Sequence, residues 1–194
     1  MGDDETEVLF SIIETSSADK NVQVYLSGLV LLDEVLRQLE QKGKKLNNNT
    51  TPLLSRILND LLSKLADNSH KVADSAELSL LATAHSTTVD VAYVAQLATK
   101  RIRTKEAKGG RSVRARLEFL QNLSAEFGVD VMWKKSMDFA KGCKSFDHRD
   151  GSVREAAKSL AITLAKIHGD GVIKSLEDIN ERQMREIKHG WLSQ

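Results

Sequence analysis

A valine recurs along this chain at the head of a helical apolar pattern, and its spacing limits what the chain can fold into. It stands at Val22, Val72, Val113 and Val153, in "KNVQVYLSGLVLLDEV", "HKVADSAELSLLATA", "RSVRARLEFLQNL" and "GSVREAAKSLAITL". The position four residues on is Leu26, Ala76, Leu117 and Ala157. Seven on it is Leu29, Ser79, Leu120 and Leu160, with Ser79 the exception between Leu78 and Leu80. That is the i, i+4, i+7 face of a packed helix. The first interval is longer because "KGKKLNNNTT" (42–51) interrupts it with the Gly, Asn, Thr and Lys of an exposed loop, where insertions are tolerated.

A second amphipathic segment precedes each valine. In "PLLSRILNDLLSKLADN" one row is Leu53, Ile57, Leu61 and Leu65, and the row beside it Leu54, Leu58 and Leu62. Pro52 behind Thr51 is expected at the first helical position, where its missing N–H is harmless. The other partners read "TEVLFSIIETS", "VDVAYVAQLATKRI" and "VDVMWKKSMDFAKGCKSF". Two helices in a period of about forty residues is the HEAT/armadillo signature. One hairpin cannot bury both its stripes, so successive hairpins must stack. The expected fold is all-α: an α-solenoid of about four hairpins (about 4–40, 51–85, 88–127 and 129–168) and a C-terminal capping helix over 175–189, in one domain spanning 1–194. Ser175 and Asp178 supply the start signal of that last helix, Gly190 its end, and Trp191 with Leu192 are expected to fold back over the last hairpin. Trp133 is expected in the core.

Composition agrees: one proline, 5% aromatic residues and 41% apolar ones suit helices with a buried core. Net charge is +1, which draws in neither nucleic acid nor membrane. Its distribution is uneven. Residues 1–19 carry six acids and no base, whereas residues 100–116 carry eight bases against Glu106 alone. A single cysteine, Cys143, allows no internal disulfide and suits a reducing compartment. No basic-then-apolar leader and no apolar run of about 18 residues is present, so the expected location is cytoplasmic.

In a solenoid the turns inside successive hairpins fall along one edge. Here they are "SSADKN" (16–21), "ADNSHK" (66–71), "TKEAKGGRS" (104–112) and "FDHRDGS" (146–152). Each carries at least one base near its end: Lys20, Lys71, Lys108 with Arg111, and Arg149. Repeats about 10 Å apart would set these cations in a row. Such a row suits an acidic protein surface, steering encounter and register more than supplying affinity.

A polar turn with Asp followed by V-R-x-x-A and an apolar helix resembles the second half of the HEAT repeat of TOG domains. "DGSVREAAKSLAITL" matches best and "DNSHKVADSAELSLL" second. The blocks "LSRILNDLLSKLADNSHKVADSA", "VAYVAQLATKRI" and "FDHRDGSVREAAKSLAI", in this order and spacing, are most similar to the TOG domain of a centrosomal protein of the ciliary tip. The resemblance covers about residues 5–168. It implies a non-enzymatic domain that holds αβ-tubulin or microtubule ends along the intra-repeat turns, within the cytoskeleton at the cilium, basal body or centrosome. Carried over residue by residue it gives Lys20, Lys71, Lys108, Arg111 and Arg149 as tubulin contacts, with Asn21 and His148 beside them. The chain departs from the family in two respects. TOG arrays carry more repeats, and their first turn presents a tryptophan, which neither Trp133 nor Trp191 supplies.

Other chemistries lack their residues. "KRIRTKEAKGGRSVRAR" has no interleaved aromatic to stack on a base, and Lys100, Arg101 and Arg103 suit a helix C-terminus. Gly109–Gly110 lacks a phosphate-loop lysine and a preceding strand, and reads as a flexible turn. "DHRDG" fails calcium-loop spacing, so Asp147 and Asp150 read as helix caps. The five histidines show no metal-ligand spacing, and Cys143 has no histidine partner in sequence. No catalytic residue, metal or cofactor is expected. The rival to the turn edge is a HEAT/armadillo adaptor that holds a peptide or protein in a concave groove lined by the second helices.

Overall fold

The computed structural model describes residues 2–102, 109–128 and 132–193, and every regular element among them is a helix. The chain divides into two compact units, Met1–Leu97 and Ala98–Gln194.

The first unit holds two complete hairpins, α1 (Asp3–Ser17) with α2 (Val22–Gln41) and α3 (Thr50–Lys64) with α4 (His70–His85). First helix packs on first helix and second on second, as well as each on its own partner. This is the stacking that lone hairpins need. The leucine rows of α3 explain it: Leu54, Ile57, Leu58 and Leu61 are fully buried, each worth about 1.5–3 kcal/mol of transfer free energy. α1 and α2 approach closely at Gly28, where a methyl group would lie 2.6 Å from Ser16 Cβ. α5 (Val91–Ala98) follows, capped by Asp90, whose Oδ1 accepts from Ala92 N–H at 2.8 Å.

In the second unit α6 (Arg111–Phe127) and α7 (Met132–Gly142) precede a 3-10 turn, Ser145–Asp147. α8 (Gly151–His168), α9 (Asp170–Lys174) and α10 (Glu181–Leu192) complete it. α8 is the hub: α6 packs along one side, and α9 and α10 along others. Its buried row is Ala156, Ala157, Leu160, Ala161, Leu164 and Ala165.

Several local expectations are corrected. Pro52 is the third residue of α3, not the first. The Asn47 side chain accepts from Asn49 and Thr50 N–H at 2.9 Å each and starts the helix earlier. In α2 the buried face begins at Tyr25 and continues through Gly28 and Leu29, leaving Val22 and Leu26 half-buried. Ser79, the polar exception in its row, is buried all the same, beside a fully buried Leu80 and a 68% exposed Leu78. Ser175 does not start the last helix. Its hydroxyl donates to the Val172 carbonyl at 2.6 Å, inside a turn that buries Leu176, and Asn180 caps α10 by accepting from Arg182 N–H at 2.8 Å. Gly190 does not end that helix either. It lies against Ile162, where a methyl group would stand 2.6 Å from Cδ1, and α10 runs on to a largely exposed Leu192. Trp133 is half-buried rather than core, stacked on His168 with ring centroids 6.3 Å apart.

Candidate functional site

Three of the intra-repeat turns share one local construction that composition alone did not reveal. An aspartate side chain accepts from the N–H two residues ahead, and a helix follows. Asp19 accepts from Asn21 N–H at 2.7 Å, Asp67 from Ser69 at 2.9 Å and Asp150 from Ser152 at 2.9 Å. These are Asx turns, in which a short side chain stands in for a backbone acceptor. The signal was the spacing D-x-N, D-x-S and D-x-S at 19, 67 and 150.

Lys20 sits at the tip of the first turn, exposed, between the Asp19 acceptor and Asn21. The Asn21 side chain is occupied in capping α2, accepting from Gln23 N–H at 3.0 Å. Lys71 lies in the first turn of α4 and is exposed. Tyr25 of α2 reaches the start of α4. Its hydroxyl stands 3.5 Å from the carbonyl of Val72, next to Lys71, and the Lys64 ammonium lies 5.6 Å from its ring centroid. Burial, with the Asp67 carboxylate nearby, pushes the Tyr25 phenol far above its ordinary range, so it stays a neutral donor.

In the second unit Arg111 opens α6, Arg149 lies two residues before α8, and both are exposed. Lys108 lies outside the described residues. The Arg111 and Arg149 turns meet at Gly110. Its φ is +78°, and a methyl group there would lie 2.9 Å from His148 Cε1 and 3.3 Å from Asp150 Oδ2. The Gly109–Gly110 turn is therefore a close-packed joint at its second glycine, where only the missing Cβ permits both the dihedral and the contact. His148 is half-buried, and its Nδ1 accepts from Asp150 N–H at 3.1 Å. The Arg154 guanidinium donates to the carbonyls of His148 at 2.6 Å and Arg149 at 3.2 Å, fixing the loop that carries Arg149. The hydrogen bonds from the Ser152 hydroxyl and N–H hold the Asp150 carboxyl below its ordinary range, with His148 and Arg114 adding to this. In the second unit the turns that carry Arg111 and Arg149 thus meet at Gly110, and in the first unit Tyr25 of α2 reaches the start of α4 next to Lys71. Arg154 and Tyr25 were missed because each acts through a contact distant from its own stretch of sequence.

Cys143 is half-buried, and burial pushes its thiol up against the opposing pull of Arg116 and Arg101. Among the described residues no group of His, Cys, Asp and Glu could hold a metal ion, and no helix is long and apolar enough to cross a membrane.

Comparisons with known proteins converge. The TOG domain of human Cep104 superposes with a TM-score of 0.80 at 16% identity, over 98% of this chain and 75% of that one. Another Cep104 TOG domain gives 0.77 at 18%, over 100% and 79%. A structure concerned with TOG–tubulin binding specificity in microtubule dynamics and mitotic spindle formation gives 0.78 at 19%, over 96% and 67%. The sequence pattern of the XMAP215/Dis1/CLASP TOG domain matches residues 4–191. That match spans both units, and so this chain belongs to the XMAP215/Dis1/CLASP TOG family of non-enzymatic helical domains.

Proposed function

We propose that this domain binds αβ-tubulin, free or at microtubule ends, through its intra-repeat turns, with Lys20, Lys71, Lys108, Arg111 and Arg149 as the contacting cations. The observation that carries the reading is that the exposed cations of the described turns stand on or beside turns closed by Asx bonds, with the Arg111 and Arg149 turns meeting at Gly110 and the latter bonded to Arg154. Exposed cations on ordered turns attract an acidic surface at long range, which speeds and orients encounter. The family match and the tubulin-binding TOG structures it resembles support the same partner. We further propose that this activity lies at the cilium, basal body or centrosome, a reading supported by the similarity to Cep104 TOG domains.

The charge reversal K71E/R111E/R149E tests this. On size exclusion with αβ-tubulin the parent chain is expected to co-elute and to dissociate as salt rises, since exposed pairs are screened. The triple variant should bind about tenfold more weakly or worse. Co-elution equal to the parent's would remove the turns as the site. A second reading, docking of a peptide or protein on the second helices, is favoured by Val30 on α2 and Leu78 on α4, 70% and 68% exposed. Binding that survives the triple reversal but is lost in V30S/L78S would transfer the site to that face.

A further inference from the structure

α10 carries a polar residue where its packing calls for an apolar one. Its packed face runs at i, i+4 and i+7 through Gln183, Ile187 and Gly190. Ile187 is fully buried, and Gly190 lies against Ile162 of α8. Gln183, half-buried at the head of this row, does more than pack. Its Nε2 amide donates to the carbonyl of Phe146, 37 residues away in the 3-10 turn that opens the loop carrying Arg149. A loop carbonyl has no helical ladder to bond it and must find a donor elsewhere. The Phe146 side chain is itself buried, so the turn is pinned by side chain and backbone together.

The same loop is held a second time from α8. Arg154 donates to the carbonyls of His148 and Arg149, and Arg154 and Gln183 line one hollow between α8 and α10. Charge seats α10 over this hollow. The Lys158 side chain, 14% exposed, reaches Glu186 at 2.5 Å and Glu155 at 2.7 Å, and Arg182 reaches Glu186 at 3.1 Å. Charge-assisted bonds of this kind are short and directional. They fix the helix in one setting, the one that puts Gln183 on Phe146. The contact does not stop at the loop. His148 and Asp150 crowd Gly110, the residue before Arg111. One path of contacts therefore runs from α10 through the Phe146–Asp150 loop to the start of α6.

We infer that Gln183 is a positioning residue for the Arg149 and Arg111 corners, and that the seating of α10 on α8 governs how ordered those corners are. Any ligand or modification that lifts α10 then loosens both. The consequence for tubulin rests on the function proposed above: cations presented already ordered lose less freedom on binding, so the brace contributes to affinity without touching the partner.

Gln183→Met keeps the length of the side chain and cannot donate. In the whole chain it should move the Phe146 carbonyl resonance upfield, shift the amides of Gly110 and Arg111, and speed exchange of the Asp147, His148 and Asp150 amides by roughly threefold to tenfold. Lys158→Met, which releases Glu186 and leaves Gln183 in place, should move the same signals in the same direction by less, and it decides the matter should Gln183→Met fail to fold. Arg185→Met, at an exposed site on α10, should move none of them. Titrated against αβ-tubulin, Gln183→Met should bind roughly threefold to tenfold more weakly than the parent. The resonances and exchange rates need no tubulin. A parent chain that fails to bind it would remove the proposed function, and those two readings would still decide whether α10 orders the corners. Unchanged Phe146 and loop signals in Gln183→Met and Lys158→Met would overturn the inference, as would equal changes in Arg185→Met. A loosened loop with parental tubulin affinity would overturn the positioning role.

Discussion

In α3 the fully buried row is Leu54, Ile57, Leu58 and Leu61, whereas in α8 alanines alternate with larger residues: Val153, Ala157, Leu160, Ala161, Leu164 and Ala165. The two rows, a first helix in one unit and a second helix in the other, are filled differently. The first unit interdigitates large side chains between like-placed helices. The second lets helices approach α8 closely, and four others pack around it. Truncation should therefore hurt the first unit and enlargement the second. Leu58→Ala opens a cavity that the surrounding leucines cannot close, with an expected loss of about 2–5 kcal/mol. Ala157→Leu forces overpacking at α8, with an expected loss of about 1–3 kcal/mol. Urea unfolding read separately in each unit checks this. Trp133 and Trp191 both lie in the second unit, so their fluorescence reports on it alone, while methyl resonances of α3 report on the first. An Ala157→Leu variant as stable as the parent would break the contrast.

The close approaches sharpen it. Gly28 and Gly190 each sit in a helix at a point where a methyl group would lie 2.6 Å from a neighbour. In the first unit the neighbour is Ser16 Cβ, anchored directly to backbone. In the second it is Ile162 Cδ1, the free end of a side chain. Away from contacts, Gly→Ala in a helix gains roughly 0.5–1 kcal/mol. Gly28→Ala should override that gain and lose about 1–3 kcal/mol, because α1 and α2 must move apart. Gly190→Ala should come out within about 0.5 kcal/mol of the parent, because Ile162 can change rotamer. Equal losses at both glycines in thermal melts would mean that the anchoring of the neighbour is irrelevant.

The helical period was legible because burial imposes it. Every valine-anchored segment needs an apolar face, so Val72, Val113 and Val153 are buried with their partners four residues on. What the pattern hid was settled by contacts between distant residues or by rival local bonds. Tyr25 takes the core place expected of Leu26 because its phenol can reach towards the backbone of α4. Ser175 has a start signal, but burying Leu176 needs a turn there, and the start passes to Asn180. Gly190 looks like a helix end and is a contact, and Gly110 looks like slack and is a joint. The candidate site was legible to the same degree. Charge at the turns marked the exposed corners Lys20, Lys71, Arg111 and Arg149. Arg154, which bonds the loop that carries Arg149, and Tyr25, which reaches the Val72 carbonyl, carry no local mark because each acts through a contact distant from its own stretch of sequence.

Acid separates the two units by a third route, smaller in effect. In the second unit the Asp150, Asp178 and Glu186 carboxyls are held below their ordinary ranges, by the bonds from Ser152, by Lys141, and by Lys158 with Arg182. A carboxyl whose folded pKa is depressed contributes stability above its unfolded pKa, near 3.9 for Asp and 4.3 for Glu, and loses it as pH falls through the folded value. In the first unit Glu34 and Glu40 behave the same way, through bonds from Arg37 and from Ser86 and Thr87. Asp33 and Asp60 there are pushed up by burial. Their sign is opposite: a raised carboxyl disfavours the folded state at neutral pH, and protonation relieves that penalty. The first unit thus carries terms that offset each other on acidification, while the second carries three that act together. Lowering the pH from 7 to about 3.5 should shift the urea midpoint read by tryptophan further than the midpoint read by α3 methyls. Asp60→Asn should narrow the gap, because removing one offsetting term lets the first unit lose more on acidification. Equal shifts in the parent, or a larger shift in the first unit, would place acid sensitivity in groups other than these carboxyls.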